Sequence, residues 1–149
     1  MGNIQEYVTI SIAGQMFGIP VLEVYDVLNG LSLTRIPLAP PEIAGVLNLR
    51  GRIVTAIDVR KHLGMPARES GHTGMSVVVE QWGEPYSLMI DSVGEVLSLN
   101  SNDLQPTPAT LNARWRKVSD GVYRLDGKLL VVLNIEHLLD FADYSTIAA

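Results

Sequence analysis

The side chains in this sequence that could do chemistry are three histidines, a scatter of carboxylates and one basic-aromatic cluster. His62 and His137 lie in two related segments, one residue out of register, and His72 lies in a polar stretch. None has a second His or a carboxylate at metal-ligand spacing, so all three read as surface or second-layer residues. Asp26, Glu80, Glu84, Asp91, Glu95 and Asp103 could act as paired acids only if the fold brought two together. Their distribution predicts solubilising charges on outer strand faces. Arg114-Trp115-Arg116-Lys117 could hold an acidic partner or stack on a base. In a chain whose formal net charge is −5 it reads as a solvated loop with Trp115 tucked inward. Trp82, in Gln81-Trp82-Gly83-Glu84-Pro85, either anchors an interface or folds back over its own hairpin. P-loop, GxGxxG, HExxH and GxSxG patterns are absent. With no cysteine there are no disulfides, thiolate metal sites or cysteine nucleophiles. No catalytic residue, metal ligand or cofactor is assigned.

One pair of positions stands out. Arg50-Gly51-Arg52 and Asp126-Gly127-Lys128 occupy equivalent places in an internal repeat, each between two apolar runs. Asp126-Gly127 carries the composition of a type I′ hairpin turn. Either the two tips drift freely in charge, or the Arg50 tip is specialised to meet an acidic site, since arginine adds planar, multi-donor recognition that a turn does not need.

The elements that must position these residues are short strands. The 149 residues, 47% of them hydrophobic, are enough for one sizeable core and too few for two large domains. Sixteen Asp+Glu against eleven Lys+Arg disfavour nucleic acid as the main ligand. The longest aliphatic run, Leu129-Leu130-Val131-Val132-Leu133, is too short to cross a bilayer, which takes about 20 residues. Met1 to Glu6 lacks the basic start of a secretory signal, and a cytoplasmic location is expected. The 16 Val, 11 Ile and 7 Thr fall in short runs between Gly, Pro and Asn, a mostly β pattern.

The repeat sets the architecture. Gly45 to Leu63 matches Gly121 to Leu139 at an offset of 76, and Tyr7 to Leu28 matches Ser76 to Leu97 at an offset of 69. Residues 7–63 and 76–139 are thus approximate halves, joined by a polar connection over 64–75. Each half predicts about five short strands, including Tyr7–Ile12, a return strand Phe17–Val21 with Pro20 at an edge or bend, Leu33–Ile36, and a hairpin over Arg50-Gly51. Val24, Val27 and Leu28 suit either a helical turn or an irregular strand. Asp58 and Asn134 are placed to cap two short helices. Five strands per half fit a small barrel, and two such barrels packed together give a shared core.

The stretch GVLNLRGRIVTAIDVR, from Gly45 to Arg60, resembles the signature of the CheW family of bacterial chemotaxis adaptors. Phe17-Gly18-Ile19, Val24-Tyr25-Asp26-Val27, Thr34-Arg35-Ile36-Pro37, Ile90 to Leu97 and Leu133 to Leu139 extend the resemblance over nearly the whole chain. It implies two five-stranded β-barrels around a common core in a single domain, and a stand-alone, non-enzymatic adaptor. Such an adaptor couples methyl-accepting chemoreceptors to the histidine kinase CheA in cytoplasmic arrays at the membrane, without inserting into it. The resemblance assigns receptor contact to Val24, Asp26, Gly45, Arg50 and Gly51, and partner binding to Val93, Val96 and Gly121. The alternatives are a CheW-like module of another chemosensory pathway, or a small-ligand-binding barrel using Asp91, Glu95 and a histidine. A ligand barrel needs inward polar residues, whereas Leu88, Ile90, Val131 and Leu133 read as solid core.

Overall fold

The computed structural model describes residues 2–30, 33–66 and 74–140. The first half supplies β1 (Ile4–Ile12), β2 (Gln15–Pro20), β3 (Val24–Asn29), β4 (Ile43–Leu49), β5 (Arg52–Asp58) and α1 (Val59–His62). The second supplies β6 (Met75–Gln81), β7 (Glu84–Ile90), β8 (Ser92–Asn100), α2 (Ala113–Lys117), β9 (Ser119–Leu125), β10 (Lys128–Leu133) and α3 (Ile135–Leu138). A 3₁₀ turn over Val21–Glu23 follows Pro20, so the ring of Pro20 ends β2 at a bend. The ambiguous Val24 to Leu28 segment is an irregular strand. Leu33 to Ile36 contributes a single bridge, Thr34 to Val46, and not the short strand expected there. The polar connection lies largely outside the described residues.

The two halves do not fold as separate units. Sheet I runs β8-β1-β2-β10-β9 and sheet II runs β3-β6-β7-β5-β4, so each five-stranded sheet takes strands from both halves. Exchanging each strand for its repeat mate converts one order into the other. The register follows the same rule: β10 lies parallel to β2 with Val131 opposite Phe17, and β5 lies parallel to β7 with Thr55 opposite Tyr86. The hairpins within each half remain local, while the parallel pairings tie the halves together.

Strand alternation here separates two cores, not core from solvent. Ile10, Ile12, Phe17, Ile57, Val77, Leu88, Ile90, Val131 and Leu133 are buried in a cluster shared by both sheets. On the opposite faces Tyr7, Tyr123, Leu130 and Val132 fill the inside of lobe I, and Leu47, Val54 and Ala56 that of lobe II. Each sheet curls until its outer strands share a cluster: Leu99 of β8 with Tyr123 of β9, and Leu28 of β3 with Leu47 of β4. No ladder pairs those outer strands among the described residues, so the lobes are curled sheets and not hydrogen-bonded closed barrels. Inside lobe I the Tyr7 and Tyr123 hydroxyls lie 3.2 Å apart. Burial and this hydrogen bond hold the Tyr7 phenol far above its ordinary range.

The short helices begin where a side-chain oxygen is available. The Asp58 carboxylate accepts from the Lys61 amide at 3.2 Å, and the Asn134 carbonyl oxygen accepts from the His137 amide at 2.9 Å. These are N-caps, as their sequence positions predict.

Candidate interaction site

The β4–β5 hairpin closes through Arg50 and Gly51, both in the left-handed region at φ 51° and 85°. That is the requirement of a type I′ turn, whose twist matches the flanking strands. Asn48 secures it by accepting the Gly51 amide on its side-chain oxygen at 3.0 Å. Glycine takes a left-handed φ without penalty, but an arginine does so at a cost of about 1 kcal/mol or more. The equivalent β9–β10 tip differs from expectation. Only Gly127 has a positive φ, so Asp126-Gly127 is not a type I′ turn. The two tips thus differ in backbone as well as charge.

From its tip Arg50 reaches β3, where its Nη2 lies 3.2 Å from the Asp26 Oδ2. The arginine side chain is 74% exposed and that of Asp26 24% exposed. Asp26 Oδ1 also accepts the Val27 amide at 2.8 Å, which fixes the carboxylate. The buried Oδ2 has no well-aligned hydrogen bond, so its contact with Arg50 is a charge contact. Because the arginine stands largely in solvent, the pair contributes about 0–1 kcal/mol to stability. Its main effect is to hold a guanidinium in one place. Leu22 on the 3₁₀ turn before β3, Tyr25 and Val27 on β3, and Ile53 on β5 are exposed apolar side chains. Exposed apolar surface together with an oriented charge on one lobe suits protein docking.

The structure brings Asp26, Arg50 and Gly51 together and distributes the other predicted residues. Val24 and Val93, repeat mates, are half-buried against the shared core. Val96 is 51% exposed on β8. Gly45 and Gly121 are also mates, at φ 153° and 147°. A Cβ on Gly45 would lie 2.6 Å from the Thr34 carbonyl oxygen, and one on Gly121 2.7 Å from that of Gln105. Both glycines therefore have a backbone reason to be there: each lets an isolated bridge close against a strand start.

Two arrangements escape sequence reasoning. Asp91 is not a loose surface charge. Its carboxylate takes Arg60 Nε at 3.1 Å and Nη2 at 2.6 Å, and accepts the Ala13 amide at 2.8 Å. Arg60 Nη1 also donates to the Pro66 carbonyl. This fork joins α1 to the β1–β2 and β7–β8 corners, and the hydrogen bonds that Arg60 donates to Asp91 raise the guanidinium pKa. The signal available in sequence was only an Arg following a capped helix start.

His62 and His137 line one cleft of about 550 Å³ with Glu42, Arg114, Lys117 and Asp140. Burial lowers the His62 pKa, Arg114 lowers it further and Glu42 opposes both. Trp115 turns inward, donating its indole N–H to the Leu63 carbonyl at 3.1 Å and meeting Phe17 edge to face. Trp82 packs edge to face on Tyr86 of its own hairpin.

Among the described residues no group of three His, Cys, Asp or Glu could hold a metal, and no helix is long and apolar enough to cross a membrane. Leu88, Ile90, Val131 and Leu133 are fully or almost fully buried apolar side chains, against the ligand-barrel alternative.

Comparison with known proteins places these features in context. A family profile described as "CheW-like domain" matches residues 6–143. The "Chemotaxis protein CheW" of Klebsiella aerogenes is 28% identical over 135 residues, covering 91% of this chain and 81% of that protein. That of Rhizobium meliloti is 26% identical over 132 residues, covering 89% and 85%. The crystal structure of scaffolding protein TtCheW from Thermoanaerobacter tengcongensis superposes with a TM-score of 0.82 at 28% identity, over 93% of this chain and 94% of that one.

Proposed function

The chain belongs to the CheW-like domain family, and from that premise we propose that it is a non-enzymatic chemotaxis scaffold that couples methyl-accepting chemoreceptors to the histidine kinase CheA. The observation that carries this reading is the Arg50 tip: a guanidinium on a left-handed turn residue, oriented by Asp26 on β3, in a lobe that also exposes Leu22, Tyr25, Val27 and Ile53. A fold tolerates such a residue where its side chain is used, since the turn alone would favour asparagine or glycine.

Receptor contact is assigned to Arg50, Asp26 and Val24, with Gly51 and Gly45 serving the backbone that presents them. Val96 and Val93, on the other lobe, belong to a second contact, with Gly121 again in a backbone role. The rim charges orient the partner while the apolar side chains supply the buried area. The scaffold works in the cytoplasm, held at the membrane by the receptors it binds.

The test is a pull-down with purified receptor signalling domain and with CheA, separately and together. Arg50→Glu is expected to lose receptor capture while its unfolding free energy stays within about 1 kcal/mol of wild type, because the Arg50 side chain stands largely in solvent. Undiminished capture by that variant would remove Arg50 from the contact, and failure of the unmodified chain to capture either partner would overturn the coupling role.

A further inference from the structure

The polar cleft of about 550 Å³ draws on both halves of the chain. The first half lines it with Glu42 and His62, the second with Arg114, Lys117, His137 and Asp140. None of these residues belongs to the receptor or partner contacts assigned above. Its two fixed cations have no counterpart in the repeat. The offsets of 76 and 69 differ by seven, so the segment between Leu97 and Gly121 is seven residues longer than the one between Leu28 and Gly45. Helix α2 lies in that longer segment, and at the offset of 76 its Arg114 and Lys117 stand opposite Leu38 and Pro41. The repeated fold therefore closes without cations at these positions.

Two neighbouring contacts pin α2 to the end of α1. Trp115 donates its indole N–H to the Leu63 carbonyl, and Arg114 packs on Gly64, where a Cβ would stand 2.9 Å from the Arg114 Nη1. Gly64 has φ 71° and follows α1 directly, so the glycine that ends one helix makes room for the guanidinium of the next. Arg114 and Lys117 are three residues apart on α2, which puts them on one face, and both line the cleft. Among the described residues neither forms an ion pair with a carboxylate. Glu42 and Arg114 act on the His62 imidazole in opposite senses, so an acceptor and a cation lie to either side of it.

The lining selects a ligand by chemistry. Two cations without carboxylate partners on one helix face suit an oxyanion: the planar fork of Arg114 matches a phosphate edge, and Lys117 adds a point charge. The carboxylates of Glu42 and Asp140 accept hydrogen bonds from hydroxyl groups. Val118, the one apolar lining side chain among the described residues, is 2% exposed, and Trp115 is turned onto Phe17. Peptide side chains, acyl chains and nucleobases therefore find no apolar surface there to be buried against. We propose that this cleft binds a small phosphate monoester of a polyol or sugar, with the phosphate on Arg114 and Lys117 and the hydroxyl groups on Glu42 and Asp140. Such a ligand bridges the two halves of the chain. The proposal goes beyond the coupling reading and does not depend on it.

Isothermal titration of the full chain with glycerol phosphate, with no receptor or kinase present, is the test. Saturable binding is expected with a Kd at or below about 1 mM. Inorganic phosphate should bind several-fold more weakly, because it brings no hydroxyl groups for the carboxylates, and glycerol should not bind measurably. Arg114→Gln and Lys117→Gln are each expected to weaken glycerol phosphate binding about tenfold, the loss of one charge-assisted contact. Arg116→Gln removes the same charge from the same helix at a position outside the lining, and should leave the affinity unchanged. Should Arg114→Gln lose its native circular dichroism, Lys117→Gln carries the comparison. No saturation up to about 10 mM overturns the proposal. So does an affinity that Lys117→Gln leaves intact, a loss in Arg116→Gln as large as in Lys117→Gln, or equal binding of inorganic phosphate and glycerol phosphate.

Discussion

At the scale of single residues, Arg50 separates what the fold wants from what the surface is for. Its turn position favours asparagine before glycine, so Arg50→Asn is expected to match or exceed wild-type stability by up to about 1 kcal/mol while weakening receptor capture. Urea unfolding beside a capture assay checks this, and a loss of stability would mean the arginine belongs to the turn. His62 gives a pH prediction with a definite sign. Burial lowers its folded pKa below the ordinary value of 6.5. Above 6.5 the imidazole is neutral in both states; as pH falls from there, the unfolded chain takes up the proton first and stability declines, levelling once pH is below the folded value. Replacing His62 with Gln is expected to flatten that part of a stability-versus-pH curve, and an unchanged slope would assign it to other groups. Arg50 was legible in the sequence because a repeat with mismatched tips marks it. The lowered His62 pKa was not, because burial, its main cause, is set by tertiary packing and not by neighbours in the chain.

At the scale of elements, local chemistry is read well where neighbours in sequence decide it. The Asp58 and Asn134 caps and the Arg50-Gly51 turn all follow from residues within four positions of one another. Asp126-Gly127 shows the limit. The pair is compatible with several turns, and the strands that meet there select one in which Asp126 keeps a negative φ. The Arg60–Asp91 fork lies beyond local reading altogether, since 31 residues separate its ends. Both side chains are mostly covered, at 16% and 20% exposure, so the charge-assisted bonds count for more than at the surface. Asp91→Ala is expected to cost about 2 kcal/mol, leaving Arg60 and the Ala13 amide without their acceptor. An unchanged unfolding midpoint would remove the fork from the account of stability.

At the scale of the whole molecule, interleaving makes the lobes interdependent. Sheet I needs β8, β9 and β10 from the second half, and sheet II needs β3, β4 and β5 from the first. A fragment of residues 1–66 is therefore expected to be unfolded alone and to regain β-sheet circular dichroism when mixed with residues 74–149. Independent folding of either fragment would contradict the shared sheets. Sequence by itself determined the mostly β class, the duplication, the capped helices and the resemblance to CheW, because these rest on periodicity, turn chemistry and residue order. It suggested one barrel per half, since repeats say which segments are alike and not which ones pair. Only the tertiary structure decided that like segments exchange places, that alternating faces serve two cores, and that Asp26 meets Arg50. Hydrogen-bonded partners and side-chain contacts are chosen in space, by which faces must be buried together, and no local pattern encodes that choice.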